Sequence, residues 1–523
     1  MLLENKIWMG QGDNPCYLLL NQANRHGLIA GASGTGKTVT LKVMAEGFSQ
    51  AGVPTFMADV KGDVTGMCQA GEDTENIAKR VEKFGIENWS LQGCPTRFWD
   101  MLGDEGIPVR VTVSEMGPVL LSRLLDLTEV QEGVLNIVFR VADDNEMLLL
   151  DLKDLRAMLN YVGENAKEYE LEYGRVSSQS IGAILRALVA VEDQGGDIFF
   201  GEPALDLNDW FACASDGRGY VNVLNAAKLI NSPKIYAMFL LWMLSELFET
   251  LPEVGDMDKP KFVFFFDEAH LLFNDMPKSL VDKIIQVVKL IRSKGVGVYF
   301  ITQSPSDIPD EVLAQLSNRI QHGLRAYTPA EQKSIRAAAA SFRANPSFDA
   351  ETALQEVGTG EALVSLLNEE GQPSVVERAK ILPPQCLMAR ASDANIAAVL
   401  EAQSTLQEKY GVAVDRESAF EMIAEEKEAS EEEARLAAER AQLEKERAEF
   451  EAMKAKEAEK AEKEAEKAAA KAAKEAEKAA ERAAKEEQKR RDRMAKTANS
   501  IIGQVGREAG RQLIRGLFGS LKK

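Results

Sequence analysis

The sequence reads Gly31-Ala-Ser-Gly-Thr-Gly-Lys37-Thr38 directly after the apolar run His26-Gly-Leu-Ile-Ala30. This is the P-loop pattern, in which four free residues precede Gly-Lys-Thr where a strand turns into a helix. The pattern predicts that backbone N–H groups and the lysine ammonium surround phosphates, while the threonine hydroxyl binds Mg²⁺. The predicted nucleotide-binding residues are Gly31, Ala32, Ser33, Gly34, Thr35, Gly36, Lys37 and Thr38.

A second motif reads Lys261-Phe-Val-Phe-Phe-Phe-Asp267-Glu268-Ala-His270, and its Asp267 lies 230 residues after Lys37. All-apolar runs of this kind are typical of the central strands of a parallel sheet. Asp267 is predicted to hold Mg²⁺ together with Thr38, and Glu268 to orient the attacking water. An acidic pair alone also fits helix capping, but the P-loop favours the catalytic interpretation. The expected cofactors are ATP and Mg²⁺.

Strand-like and helix-like segments alternate around these motifs, which predicts an α/β fold with a RecA-like, doubly wound parallel sheet. Residues 1–70 and 219–390 are expected to form this P-loop core. Residues 71–218 read as a mostly helical insertion, interrupted by the extended stretch Pro108-Val-Arg-Val-Thr-Val, and residues 391–424 read as a linker.

Residues 425–495 form a run of Glu, Lys, Arg and Ala. This composition predicts a long solvated helix stabilised by Glu–Lys pairs four residues apart. Leu436, Leu443 and Phe450 recur every seven residues, but the intervening seam positions are charged, whereas a coiled coil needs both seam positions to be apolar. Weak self-pairing around residues 436–453 is the alternative.

The C-terminal end is basic, since residues 489–523 hold 10 Lys and Arg against 2 Asp and Glu. Residues 496–523 carry apolar side chains largely at helical spacing, broken by glycines. A basic amphipathic tail is predicted to contact an anionic surface, either nucleic acid or lipid. A solvated terminus, or a helix that docks on the body, is the competing interpretation.

The rest of the chain is acidic. The formal net charge is −20, and residues 1–400 hold 35 basic against 54 acidic residues. Such a balance argues against nucleic acid as a partner, because phosphate contacts supply much of that affinity, although a ring can confine its cations to a narrow pore. The five cysteines show no metal-ligand spacing and no apolar stretch is long enough to span a membrane, so a cytoplasmic protein is expected.

Further stretches resemble the HerA-like helicases of the FtsK–HerA group of ring ATPases, and most of all their bacterial YjgR-like members. The resemblance covers roughly residues 20–390. Besides the P-loop and the acidic strand end, it is carried by Met57-Ala-Asp-Val-Lys-Gly-Asp63, by Arg292-Ser-Lys-Gly-Val-Gly-Val-Tyr-Phe-Ile-Thr-Gln-Ser-Pro-Ser-Asp307 and by Ser317-Asn-Arg-Ile-Gln-His-Gly-Leu-Arg325.

By this resemblance, Gln303 is the polar residue that senses the γ-phosphate or the attacking water. Arg319 lies where the family places an arginine that reaches the nucleotide of a neighbouring subunit, and a cation there would neutralise developing charge. Arg325 is the alternative for that role. The catalytic residues expected from motif and resemblance together are Glu268, Gln303 and Arg319.

Four other charged residues keep two interpretations each. Asp59 and Asp63 either hold Mg²⁺-bound water or cap the following helix. Arg292 and Lys294 either line a pore or simply complement a helix dipole at the C-terminal end.

The resemblance implies a Mg²⁺-dependent ATPase that forms an oligomer, a hexamer by analogy, and acts as a DNA translocase or helicase. An ATP-switched protein-interaction scaffold is the competing function, and a small-molecule kinase is a more distant third. Thirty residues precede Gly31, fewer than the N-terminal β-barrel with which HerA proteins dock a nuclease. A nuclease partner of that type is therefore not expected.

Overall fold

The structure is a computed structural model that describes residues 1–494 except 88, 104, 229–232, 256, 275 and 277. It divides into two compact units, Met1–Lys427 and Glu428–Lys523. The predicted tail, residues 496–523, lies outside the described residues. Among the described residues, no helix combines the length and apolar character that a membrane span requires.

The strands of the first unit are β1 (Leu2–Leu3), β2 (Lys6–Gln11), β3 (Pro15–Leu19), β4 (Gly27–Ala30), β5 (Thr55–Asp59), β6 (Thr96–Asp100), β7 (Ile107–Pro108), β8 (Val221–Asn225), β9 (Phe262–Phe266), β10 (Val296–Thr302), β11 (Asn318–His322), β12 (Glu361–Ser365) and β13 (Glu377–Ile381).

The helices are α1 (Lys37–Gln50), α2 (Glu75–Phe84), α3 (Val113–Leu124), α4 (Glu129–Asp144), α5 (Leu152–Glu164), α6 (Ala166–Tyr173), α7 (Ser178–Glu192), α8 (Gly196–Phe199), α9 (Pro233–Thr250), α10 (Lys278–Ile291), α11 (Asp310–Leu313), α12 (Pro329–Ala340), α13 (Ala350–Glu356), α14 (Asp393–Ala402), α15 (Ser404–Tyr410) and α16 (Ala419–Met494). Short 3₁₀ turns connect several of these elements.

All the described strands belong to one sheet, in the order β1-β2-β13-β12-β11-β4-β10-β9-β5-β8-β6-β7, with β3 also paired to β2. The strands from β11 to β7 in this order are parallel, and the remaining ones form an antiparallel extension at one edge. The predicted doubly wound parallel sheet is therefore confirmed. The carboxyl ends of β4, β10, β9 and β5 lie side by side, which is where such folds bind ligands.

Both faces of the sheet are covered, as the uninterrupted apolar run of β9 predicts. Successive side chains of a strand point to opposite faces. Phe262, Phe264 and Phe266 pack in the core that contains α9 and α10, whereas Val263 and Phe265 pack in the core that contains α1. All five side chains are buried.

The 71–218 region differs from a purely helical insertion because it supplies two strands to the central sheet. β6 pairs with β8, and β7 pairs with β6. The extended stretch expected from Pro108 is shorter than predicted. Thr112 ends it by capping α3, since its hydroxyl accepts a hydrogen bond from the backbone N–H of Glu115.

Residues 391–424, read from the sequence as a linker, contain α14, α15 and the start of α16 within the first unit. Tyr410 is fully buried and its ring meets that of Trp99 edge-on at 5.9 Å. Its hydroxyl donates to Asp209, and its carbonyl oxygen accepts from Arg110. One aromatic residue in a polar stretch therefore anchors this segment to the sheet.

The long charged helix is present as α16, which runs for 76 residues from Ala419 to Met494. Between residues 428 and 487 every side chain is exposed. Leu436, Leu443, Phe450 and Met453 are among them, each between 42% and 54% exposed. The helix also carries pairs four residues apart, such as Lys463 with Glu459.

Candidate nucleotide site

The P-loop connects β4 to α1, as predicted from the sequence. Gly36 lies at the N-terminus of α1 with a φ of 115°, a left-handed conformation that favours glycine. Gly31 is needed for space, because a Cβ atom there would lie 2.5 Å from the Cβ of His322. Ser33 and Gly34 form the exposed tip of the loop, and Thr38 is half-buried in the first turn of the helix. The loop thus keeps its backbone open toward solvent.

Lys37 is buried, with 8% of its surface exposed. Its ammonium donates to the carbonyl oxygens of Gly31 at 2.6 Å and Ala32 at 3.1 Å. Burial lowers the pKa of this lysine and the nearby Lys61 lowers it further, while Glu268 opposes the shift. The Lys37 ammonium is therefore held inside the loop by carbonyl groups of the P-loop itself.

Asp267 and Glu268 follow β9, which is separated from β4 by the single strand β10. Both are buried, at 6% and 5% exposed. The backbone N–H of Glu268 donates to Oδ1 of Asp267 at 2.9 Å. Burial raises the pKa of Asp267 to about 6, against the opposing effect of Lys61. A cation beside this carboxylate would offset that burial cost.

Glu268 has a left-handed backbone, with φ 48° and ψ 48°. A non-glycine residue adopts this conformation at a cost of about 1 kcal/mol or more, and such residues cluster at functional sites. Its Oε1 forms an ion pair with Lys61 Nζ, and its Oε2 lies 3.3 Å from His270 Nδ1. Burial raises the pKa of Glu268, but Lys61, His270 and the Gln303 side chain outweigh it, so the pKa lies below its ordinary value.

Asp59 is the last residue of β5, and its side chain binds the backbone that follows it. Its carboxylate accepts from the N–H groups of Gly62 at 2.6 Å, Val64 at 3.0 Å and Thr65 at 3.1 Å. It is 2% exposed. These contacts support the capping interpretation of Asp59, whereas Oδ1 of Asp63 is buried without a hydrogen-bond partner among the described residues.

Gln303 follows β10, between the P-loop strand and the acidic strand end. Its side chain is exposed, and hydrogen bonding by this side chain lowers the pKa of the Glu268 carboxyl. It lines a cavity of about 400 Å³ together with Ala32, His270 and Arg325. The sequence-predicted sensor and the alternative arginine, Arg325, therefore both border the site within one chain.

Arg319 lies elsewhere. On β11 it pairs in register with Leu28, so it sits before the strand's carboxyl end. Its guanidinium donates to the carbonyl oxygens of Leu316 and Leu313, both at 2.9 Å. It lines a separate groove of about 570 Å³. Within its own chain, Arg319 binds backbone carbonyl groups and does not line the 400 Å³ cavity beside Ala32 of the P-loop, called the P-loop cavity below. Its role between subunits stays a prediction.

Arg292 and Lys294 form a short 3₁₀ turn that continues α10 and ends at Gly295. Both side chains are exposed or half-buried. The Lys294 ammonium lies 5.0 Å from the centre of the Phe248 ring, a cation–π contact within the chain. Their position at a helix C-terminus agrees with the dipole interpretation, and a pore role stays a prediction.

Two residues of the site have no role predicted from the sequence. His322, at the end of β11, contacts Thr40 of α1 at 2.8 Å through Nε2 and the Glu361 carbonyl oxygen at 3.0 Å through Nδ1. It is fully buried beneath the P-loop. The second is Lys61, which reaches Glu268. Each lies within two residues of a strand end and inside a stretch that carries the family resemblance, residues 57–63 or 317–325, and these two signals could have identified it.

ATP and Mg²⁺ fit the residues present. Two buried side-chain oxygens have no hydrogen-bond partner among the described residues: Oε2 of Glu268, in the acidic pair, and Oη of Tyr236. Burial raises the pKa of Tyr236, and the charges of Asp267 and Glu268 raise it further. Unpaired buried polar groups are costly, and a bound ion or water commonly completes them. Oxygen ligands of this kind suit Mg²⁺.

The sequence matches the family described as Helicase HerA-like C-terminal over residues 4–523. No curated protein matches it.

Among solved structures, VirB4 of Thermoanaerobacter pseudethanolicus is 15% identical with a TM-score of 0.47, covering 76% of this chain and 99% of that one. The bacterial conjugative coupling protein TrwB is 14% identical with a TM-score of 0.44, covering 72% and 89%. EssC (ATPases 2 and 3) from Geobacillus thermodenitrificans is 11% identical with a TM-score of 0.30, covering 79% and 50%. Because the family match spans nearly the whole sequence, the chain belongs to the HerA-like helicase C-terminal family of P-loop ATPases.

Proposed function

We propose that the protein is a Mg²⁺-dependent ATP hydrolase that assembles as a ring, a hexamer, and translocates on DNA. One observation supports the assignment as an ATP hydrolase. Neighbouring strand ends bring together Lys37, Gln303 and Glu268. A phosphate-binding cation, a polar sensor and a buried carboxylate are the parts that phosphoryl transfer to water requires.

Each residue has a distinct task in this mechanism. Lys37 exchanges the two loop carbonyls it now binds for phosphate oxygens, and the loop N–H groups surround the rest. Thr38 and Asp267 would hold Mg²⁺, which neutralises phosphate charge when bound. Glu268 orients the attacking water, and Gln303 fixes the water or the phosphate beside it.

Glu268→Gln tests the catalytic assignment. The variant keeps the shape of the side chain and the metal-binding Asp267 but loses the carboxylate. We expect MgATP binding close to wild type and turnover lower by about 10²–10⁴-fold, the usual contribution of a positioned base. Fluorescent-nucleotide titration and phosphate release measure the two.

Glu75→Gln is the matched control, because Glu75 is exposed on α2 and forms an ion pair with Lys79, far from the acidic pair in sequence. Near-normal hydrolysis by Glu268→Gln would move the catalytic role to another residue.

DNA as the substrate rests on the family and on the basic residues 489–523, against the acidic residues 1–400. We expect double-stranded DNA to raise the ATPase rate, and added salt to reduce that increase, because phosphate contacts release counterions. A rate that DNA leaves unchanged at low salt would contradict translocation on DNA.

An ATP-switched protein-interaction scaffold is the second candidate function. The observation that favours it is the solvated part of α16, where residues 428–487 are all exposed. A helix of this kind acts as a spacer, and an acidic body is suited to basic protein partners. The same assay separates the two functions, because a scaffold hydrolyses ATP at a rate independent of DNA.

A further inference from the structure

The ion pair between Lys61 and Glu268 joins an accessible cation to a buried carboxylate. The Lys61 side chain is 49% exposed, and that of Glu268 is 7% exposed. Neither the P-loop pattern nor the acidic strand end includes Lys61, which lies two residues beyond β5. Because β5 and β9 are adjacent parallel strands, the two residues meet at the same edge of the sheet.

The backbone that carries Lys61 is fixed on both sides. Asp59 accepts hydrogen bonds from the N–H groups of Gly62, Val64 and Thr65. The buried ammonium of Lys42 binds the carbonyl oxygen of Asp63 at 2.7 Å. A fixed backbone determines where the lysine side chain starts, and the ion pair with Glu268 then holds its ammonium.

The two carboxylate oxygens of Glu268 have different surroundings. Oε1 is held by Lys61, whereas Oε2 is buried and makes no hydrogen bond among the described residues, although His270 Nδ1 lies 3.3 Å from it. The Gln303 side chain also lowers the pKa of this carboxyl. A carboxylate anchored through one oxygen has a defined orientation, and its second oxygen remains available to accept a proton or a hydrogen bond.

We propose that Lys61 is a positioning residue that holds Oε1 of Glu268 and thereby presents Oε2 to the attacking water. This inference rests on the proposed ATP hydrolysis and deepens it. Lys61 itself contacts neither water nor phosphate in this role. Its effect passes through Glu268, as second-sphere contacts commonly orient catalytic groups.

Lys61→Met tests the inference, because methionine keeps an unbranched apolar side chain but removes the charge. We expect kcat to fall about 10-fold or more, since misplacing a catalytic group by about 1 Å has effects of up to 10²-fold. The KM for ATP and the affinity for a fluorescent ATP analogue should stay within about twofold of wild type. Lys61→Arg should restore most of kcat, and Lys79→Met, on exposed α2, should match wild type.

Two double-variant measurements separate positioning from a general structural role. In a Glu268→Gln background, adding Lys61→Met should lower the residual kcat no further, because the residue to be positioned is already inactive. In thermal unfolding, the Tm losses of Lys61→Met and Glu268→Gln should fail to add, since both remove the same ion pair. This second readout needs no turnover.

Any one of four results would overturn the inference. A higher kcat in Lys61→Met would mean that the ion pair restrains Glu268. A weakened nucleotide affinity at constant kcat would make Lys61 a phosphate ligand. If the Tm losses of Lys61→Met and Glu268→Gln were additive, the two residues would not be coupled. A wild-type protein that does not hydrolyse ATP contradicts the proposed function, whereas an active wild type with an unaffected Lys61→Met contradicts this inference alone.

Discussion

At the scale of single residues, the nucleotide site depends on buried charge. Lys37, Asp267 and Glu268 are each less than 10% exposed, and each is compensated by backbone groups or by neighbouring charges, among them Lys61. Isolated buried charges are expensive, so removing one member affects the rest.

Lys37→Ala should abolish nucleotide binding, because the loop loses the cation that meets the phosphates. A fluorescent ATP analogue measures the affinity, and Lys79→Ala on the exposed face of α2 is the control. Unchanged turnover in Lys37→Ala would reject the site assignment.

His26 makes stability depend on pH. Its Nδ1 accepts from the Val298 N–H and its Nε2 contacts the Val288 carbonyl oxygen, both at 3.0 Å, so the buried ring is neutral. Burial, with Arg292 nearby, lowers its pKa from 6.5 to about 4. The unfolded chain therefore binds a proton first as pH falls. Stability should be lost between about pH 6.5 and 4, by up to about 3 kcal/mol from this residue.

His26→Gln, which can still donate and accept, tests that linkage. The variant should unfold at a lower temperature at pH 7.5 but lose less stability on acidification than wild type, as Tm measured from pH 7.5 to 5 would record. His322 contributes with the same sign, and Asp267, whose pKa is raised, with the opposite sign. Parallel Tm curves for the variant and wild type would contradict the assignment to His26.

At the scale of elements, α1 does more than carry the P-loop. Its buried Glu46 accepts from the backbone N–H groups of Gln385 and Cys386, and its buried Lys42 donates to the carbonyl oxygens of Leu387 and Met388. These bonds attach the segment after β13 to the P-loop helix. They explain why α1 has several polar side chains on buried positions, where a simple amphipathic pattern would place apolar ones.

The element-scale prediction concerns residues 489–523, with 10 basic against 2 acidic residues. Deleting them should weaken binding to DNA or anionic liposomes and flatten its salt dependence, while basal ATPase activity stays nearly unchanged. Leu517→Glu with Phe518→Glu should abolish liposome binding and reduce DNA binding only modestly. A truncated protein that binds both as well as the full chain would identify an ordinary solvated terminus.

At the scale of the whole molecule, ring assembly determines whether Arg319 acts on a neighbouring subunit. Inactive Arg319→Ala protein mixed with inactive Lys37→Ala protein should recover partial ATPase activity under subunit exchange. Some interfaces in such rings would pair an intact P-loop with an intact arginine. Mass measurement with and without ATP establishes the oligomer and the exchange.

The same mixing with Arg325→Ala is the matched comparison, because Arg325 borders the P-loop cavity of its own chain. Recovery with Arg325→Ala but not with Arg319→Ala would assign the intersubunit role to Arg325. No recovery with Arg319→Ala despite exchange would make its contacts with Leu313 and Leu316 its main role.

The sequence alone determined the features that depend on local pattern. The P-loop, the apolar β9 with its acidic end, the parallel sheet and the long charged helix all follow from residue spacing and hydrophobic period. Only the tertiary structure decided which residues meet across strands. The Lys61–Glu268 ion pair, His322 beneath Gly31 of the P-loop and Tyr410 against Trp99 join residues 207, 291 or 311 positions apart. No local pattern encodes such pairs, because strand order and register bring them together.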